Sequence, residues 1–138
     1  MGVILTRNTD DISRYTLNVW ADSPKKVYSS VLEQIGALIT SDVEEVSEEN
    51  TLVDLTHLEL MTSWIEYIRE TLDSNLVPTM VETSVFKSKG FYELYSLTYM
   101  APILEMEAIL VPETIKWWDE PRIEAEIKFQ LWMEASTL

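Results

Sequence analysis

Cysteine is absent from the 138-residue chain, and histidine occurs once, at position 57. Without cysteine the protein has no disulfide framework, no thiol catalysis and no thiolate metal site, and it suits a reducing compartment. One imidazole does not supply a zinc, copper or non-haem iron site. We therefore expect no metal and no cofactor, with a carboxylate-bound divalent ion as the alternative. The expected location is the cytoplasm, or the host cell interior if the protein is viral.

Glycine and proline are also scarce, at three and five residues, and no linker rich in them divides the chain. We expect a single domain over residues 1–138, because this length and 46% apolar residues suit one packed core. No apolar run approaches the roughly 18 residues that span a bilayer, so we expect no membrane association. The start Met1-Gly2 fits an N-myristoylation pattern, but this short pattern is weak evidence, and the start of an edge strand at residues 3–5 is the favoured interpretation.

Basic side chains are few: ten stand against 24 acidic ones, which gives a net charge of −14. Residues 27–86 carry twelve acidic side chains and one basic side chain, Arg69, for a net charge of −11. Phosphate would be repelled by this charge, so the sequence argues against direct nucleic-acid binding. It favours a protein partner with a basic surface.

Two amphipathic helices are predicted in the first half of the chain. Ser23 followed by Pro24 is typical of a helix start, and apolar residues at helical spacing extend this helix over residues 24–39. The second helix begins after Thr56, which with Glu59 forms a possible capping box, and ends near Asp73.

Strands are predicted before and after the helices. Residues 14–21 alternate apolar and polar side chains, and so do residues 122–133. Residues 79–87 and 91–100 form a predicted hairpin around Ser88-Lys89-Gly90, and residues 103–111 form a further strand. The fold class is therefore predicted as α+β, an antiparallel sheet of about five to six strands with two amphipathic helices packed on one face.

Two acidic segments are the first candidate binding surface. One is a predicted inter-helix loop, and the other is the polar face of the second helix. On that face Glu66 and Glu70 stand at i and i+4, where like charges slightly destabilise a helix, so a use outside stability is indicated. A solvated, solubilising surface is the alternative. The candidate partner-binding residues are Asp42, Glu44, Glu45, Glu48 and Glu49 of the loop and Glu59, Glu66, Glu70 and Asp73 of the helix.

Four tryptophans are the second candidate surface. Trp20 and Trp132 fall opposite the core-facing residues of their predicted strands, and Trp117-Trp118 fall in a predicted turn between Pro112 and Pro121. Tryptophans outside the core pattern are typical of interaction hot spots. A second buried layer is the alternative.

A carboxylate cluster is the third candidate. Glu105 and Glu107 share the face of one predicted strand, and Glu124 and Glu126 share the face of another. If these strands pair, the four carboxylates form a possible Mg²⁺ or Mn²⁺ site or an acid/base pair. A solvent-facing strand surface with glutamate and lysine side chains explains the same residues and is the favoured interpretation. His57 has no nucleophile motif near it, so a structural role is expected and no catalytic residue is assigned.

These features give three hypotheses for function. The first is a non-catalytic acidic protein-binding module, such as a viral or mobile-element inhibitor that occupies a basic nucleic-acid-binding surface by charge mimicry. The second is a homo-oligomeric assembly subunit, for example of a viral particle, that uses the tryptophans as its interface. The third, a carboxylate-metal enzyme, has the least support, because the chain contains no phosphate-binding loop or Asp-rich metal loop.

Overall fold

The computed structural model of the protein describes residues 1–135. Two helices and seven strands follow one another in the order ββαβαββββ. The helices are α1 (Pro24–Gly36) and α2 (His57–Asp73). The strands are β1 (Gly2–Arg7), β2 (Arg14–Ala21), β3 (Val46–Asp54), β4 (Leu76–Ser88), β5 (Phe91–Pro102), β6 (Met106–Trp118) and β7 (Ile123–Ala135).

The strands form two antiparallel sheets with the helices between them. The four-stranded sheet has the order β1-β2-β7-β6, and the three-stranded sheet has the order β3-β5-β4. The helix α1 contacts β2 and β4, while α2 contacts β6, β3 and β4, so each helix touches both sheets. The α+β class with two helices and antiparallel strands is confirmed. The strands are divided between two sheets that cover opposite sides of the helix layer.

The sequence of α2 explains this division. Nine of its seventeen residues are buried, including Leu60, Trp64 and Ile68. These residues share one broad face of the helix, which contacts β6 of one sheet and β3 and β4 of the other, while Glu59, Glu66 and Glu70 lie on the opposite, exposed face. Trp64 is fully buried, and its Nε1 donates a 2.9 Å hydrogen bond to the backbone oxygen of Tyr28 in α1. The two helices are therefore joined at the centre of the molecule.

Both predicted helix starts are confirmed, but their capping differs. Ser23 is the N-cap of α1 with Pro24 after it, yet its hydroxyl makes no capping hydrogen bond. The hydroxyl of Thr56 accepts a 3.1 Å hydrogen bond from the backbone N–H of Glu59 at the start of α2. Neither helix is long and apolar enough to cross a membrane, as far as residues 1–135 are concerned.

The strand β3 replaces the loop that the sequence predicts between the helices. Its nine residues pair with β5 from Val46 opposite Met100 to Asp54 opposite Tyr92. The acidic segment therefore lies partly on an ordered edge strand. The predicted hairpin of β4 and β5 is confirmed, and Lys89 and Gly90 take positive φ angles of 51° and 84° at its turn, as a two-residue hairpin loop requires.

Candidate functional site

A groove runs along the exposed face of α2, between the edges of the two sheets. We call it the α2 groove. Its floor is α2, and its walls are the edge strands β3 and β6. Its volume is about 640 Å³, within the range of roughly 300–1,000 Å³ that is usual for ligand sites. It is lined by Asn50 and Leu52 of β3, by Thr62, Ser63, Glu66, Tyr67 and Glu70 of α2, and by Pro112 and Ile115 of β6.

The two walls differ in their capacity to pair with another strand. Both are sheet edges, where alternate backbone N–H and C=O groups have no partner strand. The edge of β6 is interrupted, because Pro112 has no N–H and the register with β7 shifts between Pro112 and Thr114. The register of β3 is continuous over all nine residues, and these residues include no proline and no lysine. The wall formed by β3 is therefore an open edge.

The groove is bordered by three carboxylates. Glu66 and Glu70 line it, and Glu48 of β3 lies beside Tyr67 on its floor. Arg69 forms ion pairs with Glu66 and Asp73, and its hydrogen bonds hold the pKa of Glu66 below the usual range. Glu48 and Glu70 form no ion pair with any residue of the range 1–135. The groove is therefore net negative.

The charge of the wider segment has the same sign. Residues 42–73 hold ten acidic side chains and one basic side chain, for a net charge of −9 out of −14 for the chain. This segment contains β3 and α2, which form one wall and the floor of the groove. The structure thus brings the two acidic segments together at one place.

Two unpaired hydroxyl groups lie next to the groove. Tyr67 is 7% exposed and Thr98 is fully buried, and neither hydroxyl has a hydrogen-bond partner among the described residues. Burial raises the pKa of Tyr67 to about 12, the Thr98 hydroxyl opposes this rise, and the Glu48 carboxylate adds to it. A buried hydroxyl without a partner costs about 1–3 kcal/mol, and the Thr98 hydroxyl and the Glu48 carboxylate are the polar groups next to the Tyr67 hydroxyl.

The other predicted acidic residues do not line the groove. Glu49 lies on the outer side of the three-stranded sheet, where it raises the pKa of Tyr95. Glu45 accepts a 3.5 Å hydrogen bond from Thr79, and Asp42 accepts a 2.6 Å bond from the next backbone N–H. Glu44 and Glu59 are exposed. Of the nine predicted residues, the structure brings Glu48, Glu66 and Glu70 together at the groove.

The predicted cluster of four carboxylates does not form. Glu107 lies opposite Glu134, whereas Glu124 lies opposite Trp118 and Glu126 opposite Lys116, near the other end of the β6–β7 ladder. Glu105 precedes β6 and has a positive φ of 52°. Within residues 1–135 no group of three or more carboxylate or histidine residues is placed to hold a metal ion.

Three of the four predicted tryptophans lie on the outer face of the four-stranded sheet, which is its side away from the helices. Trp132 and Trp118 are 46% and 38% exposed. Trp20 is partly covered by the guanidinium of Arg122, 4.0 Å from the ring centroid. Ile4, Ile109 and Val111 are exposed on the same face. The result is a mixed aromatic and apolar surface on the opposite side of the sheet from the helices.

Trp117 differs from the prediction, because Trp117 and Trp118 belong to β6 and not to a turn. Successive residues of a strand face opposite sides, so Trp117 points toward the helices. Its ring stacks on Tyr28 at 5.4 Å and on His57 at 4.6 Å. Its Nε1 donates a 3.1 Å hydrogen bond to Asp119. Trp117 is therefore part of the packing on the helix side of the sheet.

The sequence gives no signal for the aromatic cluster that surrounds His57. The imidazole lies between Tyr92, at 4.0 Å, and Trp117, and its Nδ1 is 2.9 Å from the Tyr28 hydroxyl. Burial lowers the pKa of His57; the Lys87 ammonium acts in the same direction, and the Asp119 carboxylate opposes both. A cleft of about 370 Å³ opens beside this cluster. The cluster residues are far apart in the sequence, and no spacing links them.

Comparison with known proteins supports the fold. No family model and no curated protein matches the chain. The solution structure of Methanobacterium thermoautotrophicum protein 1598, a structural genomics target, matches with a TM-score of 0.68 and 9% sequence identity. The match covers 94% of this chain and 98% of that protein. At this identity the similarity shows a shared fold and nothing about function.

Proposed function

We propose that the protein is a non-catalytic binding module whose α2 groove holds a basic segment of a partner protein. The observation that carries the proposal is the position of Glu48, Glu66 and Glu70 around one groove, two of them without an ion pair. Carboxylates with low-dielectric surface around them concentrate the field and attract positive charge. A basic partner would neutralise a surface that the chain itself leaves negative.

A nucleic-acid-binding protein is the partner class that fits this charge. Such proteins carry clustered lysine and arginine side chains for phosphate contacts, and these side chains are complementary to the net charge of −9 on residues 42–73. Bound to such a partner, the acidic protein would compete with nucleic acid for the partner's basic surface. We therefore propose an inhibitor that acts by charge mimicry, of the kind found in viruses and mobile elements.

A pull-down from cells of the native host tests this function. The bait is the wild-type protein beside the double variant Glu48→Gln/Glu70→Gln, which removes two unpaired charges at the groove. The matched control is Glu107→Gln/Glu134→Gln, which removes two charges from one end of the β6–β7 ladder. Washing at about 50 mM and about 500 mM salt separates electrostatic from apolar binding, because the Debye length falls from roughly 14 Å to about 4 Å.

The expected result is a partner that binds the wild type and the control at low salt, is released at high salt, and is displaced by added DNA or RNA. The groove variant should capture less of the same partner. Equal capture by all three baits, or capture that nucleic acid does not disturb, would contradict charge mimicry through the groove.

Self-association is a second candidate function, supported by the outer face of the four-stranded sheet. Trp132, Trp118 and Ile109 are exposed there beside Val111 and Ile4. Exposed aromatic and aliphatic side chains on one face are typical of subunit interfaces. Analytical ultracentrifugation tests this candidate: a salt-insensitive oligomer that dissociates in the Trp132→Ala variant supports assembly, and a monomer at all concentrations contradicts it.

A further inference from the structure

The open edge of β3 forms one side of the α2 groove. The strand pairs with β5 on one side only, and its other side faces the groove. In an edge strand every second residue directs its N–H and C=O away from the sheet. Several unpaired backbone donors and acceptors are therefore arranged in a line along the groove.

The edge of β3 is protected by charged side chains alone. Natural edges are interrupted by proline or bulges, covered by another element, or protected by charged side chains, most often lysine. Pro112 and the register shift interrupt β6, as described above. The nine residues of β3 include no proline, bulge or lysine, and Glu48, Glu49 and Asp54 are the only charged side chains among them. An edge protected only by negative charge repels another acidic strand and admits a basic one.

We propose that the α2 groove binds an extended basic segment of the partner, which adds to β3 as a further strand of the three-stranded sheet. This inference rests on the proposed function and specifies the conformation of the bound segment. A strand added at the usual spacing of about 4.8 Å from β3 enters the groove above α2. A second copy of this chain is disfavoured as the occupant, because β3 would then place its own glutamates beside those of another β3.

The floor and walls of the groove give such a strand specific contacts. Alternate side chains of the bound segment face α2, where Glu66 and Glu70 present carboxylates, and the walls add apolar surface from Leu52 of β3 and Ile115 of β6. Glu70 lacks an ion pair among residues 1–135. Inward lysine or arginine side chains would therefore meet an unneutralised carboxylate, while the backbone pairs with β3.

The test uses an eight-residue peptide of alternating lysine and valine, labelled with a fluorophore and titrated with the full chain. Eight extended residues span about 26 Å, close to the length of β3. Two further peptides keep the same side chains but carry N-methyl groups, one on all lysine amides and the other on all valine amides. N-methylation removes backbone donors without changing the charge.

Strand addition predicts that the unmodified peptide binds and that the two methylated peptides differ. The peptide methylated on the paired amides should bind about tenfold or more weakly, because several backbone hydrogen bonds are lost. The other methylated peptide should retain most of its affinity. Equal affinity of all three peptides would overturn strand addition and leave charge-driven binding intact. Failure of every peptide would also overturn it, whereas a partner captured in the pull-down would still support the proposed function.

Variants of the protein locate the peptide. Glu48→Gln/Glu70→Gln should weaken binding of the unmodified peptide by about two- to thirtyfold, as expected for the loss of two exposed ion pairs. Glu107→Gln/Glu134→Gln should leave the affinity unchanged. Circular dichroism checks that both variants fold. An equal loss of affinity in the two variants would show that the peptide responds to overall charge and not to the groove.

Discussion

Replacing Trp117 by alanine tests whether this residue is part of the packing or part of an interface. The indole stacks on His57 at 4.6 Å and on Tyr28 at 5.4 Å and donates a hydrogen bond to Asp119. A fully buried Trp→Ala change costs about 3–5 kcal/mol, a figure that includes stacking pairs of about 0.5–1.5 kcal/mol each. Trp117 is half-buried, so we expect a loss of about 2–3 kcal/mol in the free energy of unfolding.

Urea unfolding followed by far-ultraviolet circular dichroism measures this loss, and thermal unfolding should show a midpoint lower by about 8–10 °C. Trp118→Ala is the matched control, because Trp118 is the next residue of β6 but lies on the outer face, 38% exposed. It should cost under about 1 kcal/mol. Equal losses in the two variants, or a loss under about 1 kcal/mol for Trp117→Ala, would refute the inward position of Trp117.

Three further predictions concern stability. Thr56→Ala should lower the free energy of unfolding by about 1 kcal/mol because the Thr56 hydroxyl caps α2. Ser23→Ala should leave it unchanged, since the buried Ser23 hydroxyl has no partner in residues 1–135. Chemical denaturation of both variants measures this difference. Gly36→Ala should lower the melting temperature markedly, because the new Cβ would lie 1.9 Å from the backbone oxygen of Pro78. Burial holds the pKa of His57 below its ordinary 6.5, so as the pH falls the imidazole binds a proton in the unfolded chain before it does so in the folded protein. The free energy of unfolding should therefore decline as the pH falls from 6.5 toward the lowered pKa. Denaturation at several pH values should show a weaker decline in His57→Gln.

The helices and most strands are predictable because their signals are local. Ser23-Pro24 and Thr56 mark the helix starts, and the alternation of residues 122–133 matches β7 within two residues at each end. Such features depend on side-chain period and on the chemistry of neighbouring residues. They do not depend on distant parts of the chain.

The strand β3 could not be predicted in this way. Its first half, Val46 to Asn50, is mostly polar and acidic, with low intrinsic preference for a strand. It becomes a strand because β5 offers a pairing edge over nine residues. The same tertiary contact divides the acidic segment, since adjacent residues of a strand face opposite sides: Glu48 lies toward α2 and Glu49 toward the outer face.

The register of β6 and β7 explains the remaining errors. The prediction places a turn over residues 112–121, whereas β6 continues to Trp118 and the connection is shorter. The shorter connection shifts the register of the two strands, so that Glu107 lies opposite Glu134 and is separated from Glu124. A longer strand also sends Trp117 inward. The division of seven strands between two sheets depends on which strands meet in space, and the sequence pattern carries no information on that choice.

The most direct test of the central claim is to locate the bound basic peptide on the protein. Titration of the lysine–valine peptide into ¹⁵N-labelled protein at low salt gives the backbone amides whose chemical shifts change. We expect the largest changes in β3 around Asn50 and Leu52 and along α2 around Glu66 and Glu70, with smaller changes in β6 near Ile115. Changes centred on the outer face around Trp132, or shifts spread evenly over the surface, would contradict the assignment of the α2 groove as the binding site.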